Sequence, residues 1–262
     1  MMEAPSPIAA AQFEKLTVKI FDDAAALGAA AAADFSRSLK RRAASGGGVS
    51  VIFATGASQR KMLSALTSIE GLPWSLVTGF HMDEYTGISD QHPASFRRYL
   101  REHLTERVPL RAFYPIDGSA ADTEATSRNY AALLQAHSPQ LCLLGIGENG
   151  HLAFNDPHVA DFSDPRDVKV VTLDRLCREQ QVHEGWFPSF DDVPEGAITL
   201  TVPALLRVPE LFASVPGPRK AHIVSRALKE PVSTACPATI LRTHPQATLY
   251  IDRESAAELQ IP

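Results

Sequence analysis

Apolar positions along this chain follow two alternating rhythms. Short β-branched or apolar runs, VSVIFA (49–54), SLVTGFHM (75–82) and QLCLLGIG (140–147), have the length and composition of buried strands. Between them lie stretches of helical period. Residues 23–42 are rich in strong helix formers, carry Lys40, Arg41 and Arg42 near their end, and run into Gly46-Gly47-Gly48, which together mark a helix C-terminus. QRKMLSALTSI puts Met62, Leu63, Leu66 and Ile69 on one face; SFRRYLREHL does the same with Phe96, Tyr99, Leu100 and Leu104. DTEATSRNYAALLQAH and RKAHIVSRAL read as further helices, and VKVVTL, ELFASVPG and ATLYID as further strands. This alternation predicts an α/β fold, a mostly parallel, doubly wound, Rossmann-like sheet with helices on both faces. HEGWFPSFDDVPEG (183–196) fits neither rhythm; a lid and a surface loop are both open. MMEAPSPIAAAQFEK, with Glu3 and two prolines, reads as a flexible leader over 1–15, ahead of one α/β domain over 16–262.

Composition narrows the classes. The 262 residues, 45% hydrophobic and 21% charged, suit one large domain. A net charge of −5 favours neither nucleic acid nor an anionic membrane as partner. No apolar run approaches the roughly 18–20 residues of a bilayer span, and the alanine-rich 24–33 is flanked by Asp22, Asp23 and Asp34. Cys142, Cys177 and Cys236 are odd in number and without a C-x-x-C. They read as free thiols in a reducing compartment, and with no secretory leader the expectation is a cytoplasmic protein.

In open α/β sheets ligands bind beyond the carboxyl ends of the strands, so the loops after the strands carry the candidate chemistry. ATGASQR offers Thr55, Gly56, Ala57 and Ser58 at a helix start, where backbone N–H groups and hydroxyls favour an anion; a plain strand-to-helix turn capped by Ser58 has the same sequence. HMDEY puts Asp83 and Glu84 beyond a buried strand, as a solvated strand end or as a general base raised by burial. GENGHLAFNDP joins His151 to Asp156 in one tight loop, a pairing that can relay a proton near neutral pH. PGPRK sets Arg219 and Lys220 at a helix start, where cations are electrostatically poor choices unless an anion binds. Gly145, Gly147 and Gly150 also spell G-x-G-x-x-G, the dinucleotide fingerprint. That motif must open a helix, and Asn155-Asp156-Pro157 interrupts one.

These segments resemble the glucosamine-6-phosphate deaminase family, in the wider group that includes 6-phosphogluconolactonases. MDEYTGISDQHPASF is similar to the family's M-D-E-Y-x-G-…-H-P-x-S-[FY], and GIGENGHLAFNDP to G-[IV]-G-x-[DN]-G-H-[IL]-[AG]-F-N-E-P; ITLTVPALL and VPGPRKA resemble later segments. The F-N form is that of the deaminases rather than the lactonases. The resemblance implies the sheet of the deaminase/ribose-5-phosphate isomerase/CoA-transferase type. It implies a catalytic domain converting glucosamine 6-phosphate and water to fructose 6-phosphate and ammonia, in amino-sugar catabolism, with no metal or other cofactor. It assigns Asp83 as the base moving a proton from C2 to C1, and His151 as the group that opens the sugar ring, flanked by Asn149 and Asp156. Thr55, Gly56, Ala57, Ser58 and Lys220 match the phosphate cradle, with Glu84, Lys169 and Arg219 as further binding residues. The partner is thus a small sugar phosphate, and a homo-oligomer is left open. The chain departs from the family at Gly56-Ala57-Ser58-Gln59 in place of G-G-T-P, at Asn149 in place of the commoner Asp, at Asp156 in place of Glu, and at Gln181 in place of a phosphate-binding Arg. The shorter Asp156 is expected to reach His151 only if its loop shifts. An isomerase or deaminase of another hexose phosphate, a sugar-lactone phosphate hydrolase and a non-catalytic sugar-phosphate sensor are the alternatives.

Overall fold

The computed structural model of the chain describes residues 4–259. Its strands, in chain order, are β1 (Ala9–Phe13), β2 (Leu16–Phe21), β3 (Val49–Phe53), β4 (Val77–His81), β5 (Asp83–Tyr85), β6 (Ala112–Tyr114), β7 (Leu141–Leu144), β8 (Val168–Thr172), β9 (Gly196–Leu200), β10 (Glu210–Val215) and β11 (Ala247–Asp252). The α-helices are α1 (Ala24–Ala43), α2 (Arg60–Thr67), α3 (Phe96–Leu100), α4 (Thr123–His137), α5 (Arg175–His183), α6 (Val202–Leu206) and α7 (Ala221–Lys229). The main sheet has the order β1-β2-β11-β10-β7-β3-β4-β6. All its neighbours are parallel except β1 and β2.

The alternation of side chains along each central strand splits the core into two layers. From β3 and β7, Val49, Val51, Phe53, Leu141 and Leu143 face Leu27, Phe35 and Leu39 of α1 and Met62, Leu63 and Leu66 of α2. Ile52, Cys142 and Leu144 face the other way, into a core shared with Tyr130 and Leu134 of α4 and Ile223, Val224 and Leu228 of α7. Each such large side chain contributes about 1.5–3 kcal/mol on burial. Asp23, Ser95, Asp122, Asp174 and Thr201 cap helix starts, each accepting from a first-turn N–H, which satisfies donors the helices cannot. The sheet is doubly wound as expected. From β3 the chain runs outward through β4 to β6, then returns to β7 on β3's other side and runs on through β10 to β11. The β3/β7 boundary is therefore the switch point, where such sheets bind ligands.

Several expectations are corrected. Residues 1–3 of the leader lie outside the described residues, but Ala9–Phe13 is no flexible leader: it pairs antiparallel with β2, from Ala9↔Ile20 to Phe13↔Leu16. AAAQF has little strand propensity; an open sheet edge beside it overrides local preference. VKVVTL is a strand outside the main sheet. β5, β9 and β8 form a separate antiparallel sheet, so DEY is strand rather than loop. SFRRYLREHL is helical for five residues and then loosens into a π turn over Arg101–Thr105. The irregular segment 183–196 is anchored. Phe187 and Val193 are buried in a third core with Tyr85, Phe96 and Phe154, and Arg178 donates to the carbonyls of Phe190 (3.1 Å) and Val193 (2.8 Å).

Candidate active site

The four loops converge as their order in the sheet requires. Thr55–Ser58 after β3, Asp83 after β4, Gly145, Ile146, Gly147 and His151 after β7 and Lys220 after β10 line one cleft at the switch point, closed on the far side by Gln180, Gln181 and Glu184 of α5 and the turn after it.

Two of these loops share one design. Gly56 (φ +94°) precedes a 3-10 turn at Ala57–Gln59 that runs into α2; Gly217 (φ +93°) precedes another at Pro218–Lys220 that runs into α7. Both helix N-termini thus open beside the cleft, a favourable setting for an anion. Gln59 fastens the first loop: its Nε2 donates at 3.2 Å to the carbonyls of Leu144 and Ser214 and to Ser58 Oγ. It thereby ties the β3 loop to the ends of β7 and β10. Lys220 is buried in the cleft, and among the described residues no carboxylate lies within ion-pair distance of it. Burial pushes its ammonium below the ordinary lysine range, while Glu184 and Glu148 pull it back up. A bound anion would relieve that cost.

Asp83 opens β5 with its side chain in the cleft; it is buried and its Oδ1 has no hydrogen-bond partner. Burial, then the charge of Glu84, holds its carboxyl well above the usual aspartate range, the condition of a strong base awaiting a proton source. Glu84 does not share the cleft. Neighbouring strand residues face opposite sides, and Glu84 instead anchors the start of α3, accepting from Ser95 Oγ (2.8 Å), Phe96 N (3.1 Å) and Arg97 N (3.0 Å). Burial raises its pKa against these donors. Its expected role in substrate binding is therefore corrected to a structural one.

His151 is positioned by glycine. An ideal Cβ on Gly147 would lie 2.1 Å from Cε1 and Nε2 of the His151 ring, so only glycine leaves room for it. Gly150 has φ +90° and abuts the Cys236 sulfur, 2.8 Å from where its Cβ would be. The residues after Gly150 form a tight bridge, Leu152↔Asn155, rather than a helix, which removes the dinucleotide reading.

The same turn brings Asp156 back to the ring. Asp156 Oδ1 lies 3.0 Å from His151 Nδ1, so the shorter carboxylate reaches without the expected shift. Asn149 sits behind the cleft as a hub. Its Oδ1 accepts from His151 N (3.0 Å), and its Nδ2 donates to Asp156 Oδ1 (2.9 Å) and Asp174 Oδ2 (2.8 Å). Asp156 Oδ2 accepts from Asp174 N (3.0 Å). Burial raises the Asp156 carboxyl, but the His151 ring, Asn149 and the Asp174 N–H outweigh it and leave it below the usual range.

Two basic candidates stand elsewhere. Lys169, in β8, is spent on Asp164 (3.0 Å) and the Val159 carbonyl (2.6 Å) and does not line the cleft. Lys169 and Asp83 both pair with Thr199 of β9 and share a face of the second sheet, but the Lys169 ammonium is held by Asp164. Arg219 is half exposed at the rim, 3.7 Å from Glu148, outside the cleft lining. Asp174, Gln180 and Glu184 were not foreseen, since α5 gives no local signal of facing a site. Gln180 accepts from Glu148 N (2.9 Å) and donates to Glu184 (2.7 Å), joining α5 to the His151 loop. Buried His81, whose Nε2 accepts from Ile116 N (2.6 Å), is held neutral, its pKa pushed down to about 3 by burial and by Arg97.

Fold and cleft together are those of an α/β protein that gathers a buried aspartate, a histidine–carboxylate pair, two helix starts and a buried lysine at its switch point. Residues 22–250 match the family model of glucosamine-6-phosphate isomerases and 6-phosphogluconolactonases, and the chain belongs to that family. It is 37% identical over 188 residues to a glucosamine-6-phosphate deaminase of Geobacillus sp. strain WCH70, covering 71% of this chain and 73% of that protein. It is 34% identical over 183 residues to one of Exiguobacterium sibiricum, covering 70% and 71%. Among solved structures, a monomeric glucosamine-6-phosphate deaminase superposes with a TM-score of 0.84 at 28% identity, over 92% of this chain and 99% of that one. A 6-phosphogluconolactonase from Thermotoga maritima (TM-score 0.74, 18% identity, 91% and 100% coverage) shares the fold. No helix among the described residues is long and apolar enough to cross a membrane.

Proposed function

We propose that this protein converts glucosamine 6-phosphate and water to fructose 6-phosphate and ammonia. The observation that carries this reading is the placing of Asp83 and His151 in one cleft whose rim is formed by two helix starts, Ser58 and Lys220. The phosphate sits at the Thr55–Ser58 loop with the Lys220 ammonium, which fixes the reacting carbons by positioning. His151, steadied by Asp156, passes a proton to the ring oxygen as the C1 hydroxyl loses one, and the sugar opens to its aldehyde. Asp83 takes the C2 hydrogen as a proton while the aldehyde oxygen gains the proton that the ammonium gives up, forming an enolamine, and Asp83 then returns its proton to C1. The double bond then lies between C2 and nitrogen; water adds there and ammonia leaves. Asp83 alone serves both carbons because its raised pKa suits it to accept and to release. The similarity to relatives named as deaminases supports the same substrate.

Purified protein incubated with glucosamine 6-phosphate should release ammonia and fructose 6-phosphate in equal amounts. Release of neither would overturn the proposal, and rapid hydrolysis of 6-phosphogluconolactone in a parallel assay would replace it with the lactonase reading.

A further inference from the structure

Cys177 has no part in the chemistry above, yet it stands beside it. One ligand atom each from His151, Asp156 and Cys177 lie within 4.8 Å of one another, and all three residues are buried. Four-coordinate zinc holds nitrogen, oxygen and sulfur ligands roughly 3.3–3.6 Å apart, so small rotamer adjustments close the set. His151 Nδ1 and Asp156 Oδ1 are 3.0 Å apart, so the ring nitrogen and the carboxylate already face one space. The supports are already built. Asp156 is fixed by Asn149 and the Asp174 N–H, and the Cys177 backbone N–H is fixed at 2.6 Å by Asp174 Oδ1 at the start of α5. Such outer partners are what hold metal ligands in register. His151 borders the cleft, while Asp156 and Cys177 are buried outside its lining.

We propose that His151, Asp156 and Cys177 form an inhibitory site for a thiophilic divalent cation, Zn²⁺ in particular. Coordination replaces the Cys177 thiol proton with the metal and releases that proton to solvent; no electron is transferred. The bound ion ties up His151 and Asp156 and stops ring opening. The neighbouring group Asp156, His158 and Asp174 lacks sulfur and has an exposed histidine, so a soft cation chooses the cysteine set.

The inhibition arm of the test rests on the reaction proposed above; the spectroscopic arm does not. Wild-type protein titrated with Co²⁺ should show a thiolate-to-cobalt charge-transfer band that Zn²⁺ abolishes by displacement, and zinc X-ray absorption should show one sulfur with nitrogen and oxygen neighbours. Turnover should fall with micromolar free Zn²⁺, be unaffected by equal Mg²⁺, and recover with EDTA. Cys177→Val and Cys177→Ala should keep basal turnover, lose the cobalt band and raise the half-inhibiting Zn²⁺ concentration at least tenfold. Absence of sulfur in the wild-type zinc spectrum, or unchanged zinc sensitivity in a folded Cys177 variant, would overturn the proposal. The wild-type spectra decide it even if neither variant folds.

Discussion

Gly147→Ala tests whether the glycine-rich loop exists to seat His151. The added Cβ would lie 2.1 Å from two ring atoms, where ordinary contacts begin near 3.4 Å. Backbone on both sides is held: Gly147 N donates to the His151 carbonyl (3.0 Å), and Gly150 N to the Gly147 carbonyl (3.0 Å). The imidazole is therefore the part that yields, by more than about 1 Å, a displacement that costs on the order of 10²-fold in rate when it befalls a catalytic group. The same movement takes Nδ1 out of its 3.0 Å contact with Asp156. The expected outcome is a fall in kcat of about 10²-fold with KM changed little, because the phosphate rim is untouched. Steady-state ammonia release measures it. The Gly147→Ala/His151→Gln double variant should be no slower than His151→Gln alone, since both changes remove the same function. Circular dichroism and a urea midpoint near wild type confirm the fold. Gly147→Ala activity within threefold of wild type, or full additivity in the double variant, would refute the reasoning.

Asp83→Asn should cut kcat by roughly 10²–10⁴-fold and yet stabilise the protein at neutral pH. A carboxyl whose folded pKa is raised stabilises fully below its unfolded pKa and loses that contribution as pH rises through the folded value, so the variant's advantage in urea midpoint should appear above about pH 4 and vanish in acid; a lower midpoint at pH 7 would contradict it. Asn149→Asp replaces two donations to carboxylates with a third carboxylate; a loss of about 2–4 kcal/mol in denaturant unfolding is expected, with turnover falling in step, and equal stability would show that the amide is dispensable. Glu210 is buried but drawn below the usual glutamate range by Ser38, Arg41 and Arg42, which overcome its desolvation. Its stabilisation is present above the ordinary glutamate pKa near 4.3 and lost as pH falls through the depressed value. Glu210→Gln should therefore lower Tm by a few degrees at pH 7 and leave it unchanged in acid.

Much of the fold was legible because burial writes itself into apolar rhythm. β3, β4, β7, β10 and β11 are buried along almost their whole length and rich in apolar residues, because both faces of a parallel sheet are covered. β1 was illegible because its pairing, not its composition, makes it a strand. β5 was illegible because three residues carry no period.

The candidate site divides along the same line. Residues just past the strand ends, Thr55–Ser58, Asp83, His151 and Lys220, could be placed on one rim from the chain alone, since connection rules fix where the carboxyl ends gather. Loop spelling also carried Asn149 and Asp156. The sequence by itself thus determined the fold class and the loops that meet at the rim. Only the tertiary structure decided direction and company. It turned Glu84 and Lys169 away: strand alternation sets Glu84 on the face opposite Asp83, and Asp164 holds the Lys169 ammonium. It also brought Asp174, Gln180 and Cys177 of α5 against a loop some 25 residues earlier. Contacts of that range depend on how two layers pack, and neither layer's local sequence encodes the other.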